Sequence, residues 1–307
     1  KGAITDNPDY ELEAYLGPNL GVFDPGGIVY LSSLIDDLGL SGINGGNIMA
    51  FATELYERGI LTKEDLGGLE LRWGDVSAMA ELAKRIANRD GKYFDILAEG
   101  TYRAALKISE LKGVNVLPYA VHVKGVEVGA HGTRSDEDYT HDICYACSVQ
   151  GGDHTSIVGD AYDDMNTVFQ DSAVYCVVIA WGGTLKGLDW KFLRALTGLT
   201  ITEKEWKTTL GHRIVHIQRA TELLGGPDIR WVPPRDDDNP PRFYEPLPSG
   251  PFKGSFTKRE VMEKRRKEYY EAIGWDEDGI PRSDVLKKLN LHDVDKALDK
   301  IRYSNPS

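Results

Sequence analysis

The segment HDICYACSVQGGDHTS, His141 to Ser156, concentrates side chains that could do chemistry: Cys144 and Cys147 in a Cys-x-x-Cys pair, then Asp153 and His154. Three chemistries compete for the cysteine pair. A structural zinc site needs four ligands, and only Cys176 and scattered histidines remain to complete one. A thioredoxin-like redox pair sits at a helix start after a βα unit, which the surrounding pattern does not show. The third reading is two small, semi-buried residues packing a helix. His154 differs, because Gly151 and Gly152 just before it would let backbone approach a bulky group while the imidazole donates or relays a proton. A capping or core histidine is the plain alternative. Cys176 closes the segment DSAVYC within an apolar run, the setting of a thiolate bound to iron, whose potential an apolar shell tunes. An inert core cysteine fits the same run, so the residue types alone leave these alternatives open.

The elements that position these groups read as mostly helical. Ile28, Leu31, Leu34, Ile35 and Leu38 recur at helical spacing and stop at Gly39. NIMAFATELYERGIL repeats the pattern and stops at Gly59, with the glycine-rich joint SGINGGN separating the two helices. VSAMAELAKRIANRDG and YFDILAEGTYRAALKISEL each predict one further amphipathic helix. Short alternation and loop follow from Val116 to Gly132, and a helical pattern resumes at Tyr145. WKFLRALTG is helical, and Thr202 with Glu205 predicts a capping box opening a run that ends at Gly225-Gly226. The proline-rich stretch from Trp231 to Gly254 excludes a regular element. A charged helix, TKREVMEKRRKEYYEAIG, comes last but for the final turns. The pattern predicts two helical domains, 1–120 and 121–307, joined by a linker near Gly113–Thr133.

Composition narrows the classes of function. A formal charge of -12 over 307 residues argues against tracking a nucleic-acid backbone. The longest apolar run, AVYCVVIAWGG, is well short of the ~20 residues that span a bilayer. The start lacks the apolar core of a signal peptide, and three cysteines form no disulfide framework, so a reducing, cytoplasmic setting is the expectation.

Two short motifs then take the chain further. DDLGLS, Asp36 to Ser41, carries Asp36, Gly39 and Leu40 of an Asp-x-x-Gly-Leu-Cys/Asp pattern, and DSAVYC matches its ends at Asp171 and Cys176. With DYELEAYLGPN, AFATELYERGIL, CYACSVQGGDH, GHRIVHIQR, DDDNPPRF and YYEAIGWDEDGIPRSDVLKKLNL in the same order, the chain resembles the second and third domains of the tungsten-containing aldehyde:ferredoxin oxidoreductases. The resemblance implies a mainly α fold and a tungsten bis-pterin cofactor contacted by Asp36, Gly39, Leu40, Ser41, Asp171 and Tyr175. It implies that Cys176 ligates a [4Fe-4S] cluster, that Glu11 handles a proton at the metal, and that His154 hydrogen-bonds the substrate oxygen. Cys147 takes a threonine position of the family, so neither it nor Cys144 is an expected cluster ligand.

The implied reaction is oxidation of an aldehyde to a carboxylic acid, with electrons leaving singly to ferredoxin. Reduction of an aromatic acyl-thioester and a non-catalytic structural subunit are the alternatives. Ser41 replaces the Cys or Asp of the first motif, and Ala173-Val174-Tyr175 departs from the second. The interval between His154 and Cys176 is short for the family, which implies a trimmed loop at the substrate cavity. A four-iron cluster needs four ligands, and the family's β-rich N-terminal domain, with its three cysteines, has no counterpart in this sequence. A longer polypeptide or a second chain is therefore expected to complete both cofactor sites.

Overall fold

The computed structural model describes residues 8–134, 141–154, 164–176, 187–225 and 229–303. The fold is mainly α, as the helical spacing and the resemblance both imply. Among the described residues no helix is long and apolar enough to cross a membrane. The chain divides into two compact units: one of 1–139, 151–153 and 239–257, the other of 140–150, 154–238 and 258–307.

The first unit begins with helices α1 (Tyr10–Leu16), α2 (Pro25–Asp37) and α3 (Gly42–Glu57). Aspartates cap the first two: Asp9 accepts from the Leu12 N–H and Asp24 from the Gly27 N–H, satisfying donors that the first turn leaves open. The glycine-rich joint does not separate helices as expected. Ser41 is the cap of α3, and Gly42, Gly45 and Gly46 lie inside it. Helix contact explains the glycines, because a Cβ on Gly46 would stand 2.7 Å from the Tyr15 carbonyl oxygen of α1.

Helix α4 (Val76–Asn88) forms as its periodicity predicts, but YFDILAEGTYRAALKISEL breaks into α5 (Lys92–Leu97) and α6 (Thr101–Lys112). Gly100, at φ +87°, turns the chain between them. The Thr101 N–H then donates to the buried Glu127 carboxylate at 2.7 Å, a cap supplied from far along the chain that no local pattern announces. Leu16, Leu31, Ile35, Phe51, Leu82 and Ile108 meet in one apolar core.

After α6 comes a small antiparallel hairpin, β1 (His122–Val123) and β2 (Val126–Glu127). Its two-residue turn has positive φ at both Lys124 and Gly125, the handedness that suits the twist of paired strands. Residues 239–257 return to this unit. Arg242 reaches both Glu54 oxygens at 2.8 Å, and the Thr257 hydroxyl lies 3.3 Å from the Thr133 carbonyl.

The second unit contains α7 (His141–Cys147), α8 (Asp164–Ala173) and α9 (Leu188–Thr197). A helical turn, α10 (Glu203–Glu205), is capped by the Thr202 hydroxyl as expected. The run does not stay α: Trp206–Leu210 is a π-helical turn before α11 (Gly211–Leu224). Trp206 there packs against Phe169 of α8, and Phe169 stacks on Trp190 of α9 at 3.9 Å.

Helices α12 (Arg259–Ile273), α13 (Ser283–Lys288) and α14 (His292–Arg302) complete this unit. Arg219 is fully buried in it. Its guanidinium pairs with Asp237 and Glu222, donates to the Gly279 carbonyl, and lies 4.2 Å from the Trp275 ring centre. Burial works against its charge, but the carboxylates of Asp237 and Glu222 outweigh that cost and raise its proton affinity well above the ordinary value.

Candidate active site

The two short motifs have the same backbone ending. Helix α2 stops after Asp37, Gly39 takes φ +69°, the Gly39 N–H donates to the Asp36 carbonyl and the Leu40 N–H to that of Ile35. Helix α8 stops after Ala173, Val174 takes φ +57°, the Val174 N–H donates to the Asp171 carbonyl and the Tyr175 N–H to that of Gln170. The left-handed residue and the reach-back bond that close a helix recur at matching positions. Asp36 thus corresponds to Asp171, Gly39 to Val174, Leu40 to Tyr175 and Ser41 to Cys176.

Spelling alone marked Ala173-Val174-Tyr175 as a departure; the backbone does not depart. The cost falls on Val174, a β-branched residue held where glycine is favoured. Ser41 has its own local reason, since its hydroxyl accepts from the Asn44 N–H and caps α3.

The first motif borders a cavity of about 290 Å³. Gly39, Leu40 and Ser41 form one edge; Ile48, Met49 and Ala83 give apolar wall, and Glu99 and Asn44 bring polar groups. An apolar wall with a few convergent polar groups suits part of a flat ring system. At the second motif, Gln150 Nε2 donates to Asp171 Oδ2 at 2.8 Å, and the Tyr175 hydroxyl donates to Asp189 at 3.2 Å. Burial, and then Asp189, push the Tyr175 phenol up to about 12, so it stays a neutral donor at ordinary pH.

The cysteines divide by exposure. Cys144 and Cys147 are buried within α7, whereas Cys176 is exposed at the turn after α8. An exposed thiol there can reach a metal group brought to that turn. One cysteine is far from the four ligands of a cluster, so the residues present fit an edge contribution to it and no more. Of the segment between His154 and Cys176 whose length suggested a trimmed loop, residues 155–163 fall outside the described residues, and the rest is α8 and its closing turn.

Glu11, in the first turn of α1, is half-buried, while Glu13 is exposed. The Ala130 N–H donates to Glu11 Oε2 at 2.6 Å, and the His131 Nε2 stands 3.7 Å from Oε1. Burial raises the Glu11 affinity for a proton, the Ala130 bond opposes this, and the charges of Asp9 and Asp153 add to the rise. Burial alone lowers the affinity of His131. His131 has no part in the sequence-based expectations. It lies in GVEVGAHGTR, and its only signal there is an imidazole between glycines after an alternating stretch.

His154 is half-buried in the second unit, with the Tyr145 ring edge-on at 6.0 Å between centres. The preceding Gly151 and Gly152 have a different use from the expected approach to a bulky group. A Cβ on Gly152 would stand 2.6 Å from the Val126 carbonyl oxygen, and one on Gly151 2.8 Å from that of Val123. The pair lets the chain cross the β1–β2 hairpin at backbone contact.

Comparison with known proteins places the chain in a class. Residues 1–291 match the family model described as aldehyde ferredoxin oxidoreductase, domains 2 and 3. The chain belongs to that oxidoreductase family.

It is 56% identical over 306 residues to the aliphatic sulfonate oxidoreductase, WOR-like subunit, of Pyrococcus furiosus, covering 98% of this chain and 48% of that protein. It is 34% identical over 314 residues to the tungsten-containing aldehyde ferredoxin oxidoreductase of the same organism, covering 94% of this chain and 49% of the relative. The chain thus spans about half the length of the curated relatives it matches. Its fold is similar to the active site complex BamBC of benzoyl coenzyme A reductase in complex with 1,5-dienoyl-CoA. The TM-score is 0.65 at 21% identity, covering 96% of this chain and 50% of the other.

Proposed function

We propose that this chain is the helical half of a tungsten-dependent oxidoreductase acting on a small aliphatic substrate, with Glu11 and His154 handling protons and hydrogen bonds. The observation that carries it is the pair of matching helix ends, 36–41 and 171–176, kept even where valine must replace glycine. A shell retained only for bulk has no reason to hold a β-branched residue in that conformation.

In this reading Asp36, Gly39, Leu40 and Ser41 border one pterin, and Asp171 and Tyr175 the other. Cys176 offers one thiolate to a [4Fe-4S] cluster whose remaining ligands come from outside these residues. Tungstopterin would supply a two-electron acceptor there, and a [4Fe-4S] cluster a one-electron relay toward ferredoxin or a similar carrier. For an aldehyde the balance is RCHO + H2O → RCOOH + 2e⁻ + 2H⁺. Glu11 takes a proton from the water that adds to the carbonyl, a role suited to a half-buried carboxylate with raised proton affinity. His154 donates a hydrogen bond to the carbonyl oxygen as negative charge develops there.

The 56% relative's name makes an aliphatic sulfonate the substrate class to set beside aldehydes. The acyl-thioester alternative rests on a likeness of fold alone.

The test uses the complete, tungsten-loaded enzyme with short-chain aldehydes and aliphatic sulfonates as parallel substrates. Turnover is normalised to tungsten. Glu11→Gln should lower turnover by about 10²–10⁴-fold on the preferred substrate, the usual worth of general acid–base catalysis, while Glu13→Gln stays near wild type. Equal, undiminished rates for both variants would remove Glu11 from the chemistry. Full activity with no tungsten present would reject the cofactor reading.

A further inference from the structure

We infer that His131 is the proton outlet of Glu11: its Nε2 takes the proton that the carboxylate has accepted, and the ring delivers it to solvent. The inference rests on the reading of Glu11 as a base, and it adds a residue that the family resemblance does not name.

Three contacts fix residues 10–11 against residues 130–131. The Tyr10 hydroxyl donates to the Ala130 carbonyl at 3.2 Å, the Ala130 N–H donates to Glu11 Oε2 at 2.6 Å, and the Tyr10 and His131 rings lie 5.1 Å apart. With Oε2 held by backbone, Oε1 is the oxygen that faces the His131 Nε2, at 3.7 Å. That exceeds a hydrogen bond by about half an ångström, a gap that a small ring rotation closes, and catalytic bonds commonly tighten only when substrate is present.

Exposure assigns the direction of transfer. The Glu11 side chain retains 15% of its accessible surface and that of His131 29%, so the imidazole is the better connected to water. A base that works once per turnover must lose its proton before the next. A carboxylate with little solvent contact and raised proton affinity does so slowly unless a carrier stands beside it.

Burial moves the two affinities toward each other, up for Glu11 and down for His131, which is the condition for ready exchange in both directions. Asp9 and Asp153 face Glu11 with negative charge, and Asp153 is followed directly by His154. Tyr15 also feels the charge of Glu11, and those of Glu127 and Tyr10. Repulsion from Asp9 and Asp153 disfavours two charges at once on Glu11 and its surroundings, and a proton placed on His131 relieves it.

The transfer balances. Neutral His131 with its proton on Nδ1 accepts at Nε2 from protonated Glu11, giving carboxylate and imidazolium. Loss of the Nδ1 proton to water restores a neutral ring, and exchange with solvent returns the starting tautomer.

Two measurements test this. In the 307-residue chain, the carbon-bound imidazole protons are titrated by NMR, with His131 assigned by its loss in His131→Phe, which keeps the ring against Tyr10. Glu11→Gln removes the carboxylate that stabilises imidazolium and should lower the His131 midpoint by about one pH unit. An unchanged midpoint overturns the pairing. In the complete enzyme at low buffer concentration, His131→Phe should cut turnover about tenfold or more with little change in KM. Added imidazole should restore the rate, while Glu11→Gln stays slow with imidazole present. Full turnover in His131→Phe beside a slow Glu11→Gln overturns the outlet and leaves Glu11 as the base. Full turnover in Glu11→Gln overturns the base reading itself, and the outlet with it.

Discussion

Replacing Val174 by glycine should stabilise the protein, which is unusual for a loss of side chain. The left-handed conformation costs an ordinary L-residue roughly 1–2 kcal/mol, and a β-branched residue belongs at the upper end. Val174 is 88% exposed, so its methyl groups contribute almost no burial to set against this. Glycine removes the strain but widens the unfolded ensemble, at a cost of roughly 0.5–1 kcal/mol. The net gain is about 1 kcal/mol. The first motif supplies the inverse experiment. No atom lies within 4 Å of a Cβ built on Gly39, so Gly39→Ala meets no clash and reports the conformation alone. That change should cost about 1 kcal/mol. Urea midpoints for the two variants, measured with the wild-type chain under one set of conditions, give both values. A destabilised Val174→Gly together with a neutral Gly39→Ala would refute the claim that the two helix ends are equivalent.

Two further expectations concern the second unit. Arg219→Ala takes the guanidinium from the buried Asp237 carboxylate, which keeps the Tyr270 hydroxyl but no paired charge from Arg219, and should cost about 3–5 kcal/mol, whereas the double change Arg219→Met with Asp237→Leu should recover much of that loss; urea unfolding of both checks it. His216 is buried with Nδ1 2.7 Å from the His212 carbonyl, and burial lowers its pKa to about 4. The unfolded imidazole, near 6.5, then binds a proton that the folded one refuses. Its contribution is complete above about pH 6.5 and is lost as the pH falls toward 4, by at most roughly 3 kcal/mol. His216→Gln should flatten the stability profile across that window, and an unchanged profile would show that other groups set it.

Helices announced themselves where side chains alternate between core and water. Ile28, Leu31 and Ile35 are such a stripe, and Gly39, Gly59 and Gly225 end their helices with positive φ where a stop was expected. Other features depend on partners far away in sequence, and local spacing cannot contain those. The break at Gly100 is sealed by Glu127, the glycines of α3 answer to Tyr15, and Gly151-Gly152 answer to the hairpin. Glu11 was legible through resemblance, and its exposed neighbour Glu13 is set apart only by the fold. His131 was not legible, because nothing in GAHG says that a carboxylate from residue 11 will lie beside it. The similarity of the two motifs was half legible. Their ends matched in letters, and their middles match only in backbone angle.

The way the chain revisits the first unit bears on how it is made. That unit takes residues up to 139, then 151–153, and is finished only by 239–257, whose Arg242 and Thr257 reach back to Glu54 and Thr133. A ribosome adds roughly 5–20 residues per second, so the early helices wait about 6–24 s for their closing strap. During that interval the Glu54 side of α3 stands uncovered, and the second unit's α7 and α8 have already emerged. The nascent chain therefore passes through a stage in which it resembles neither unit, and no single cut would release either one intact.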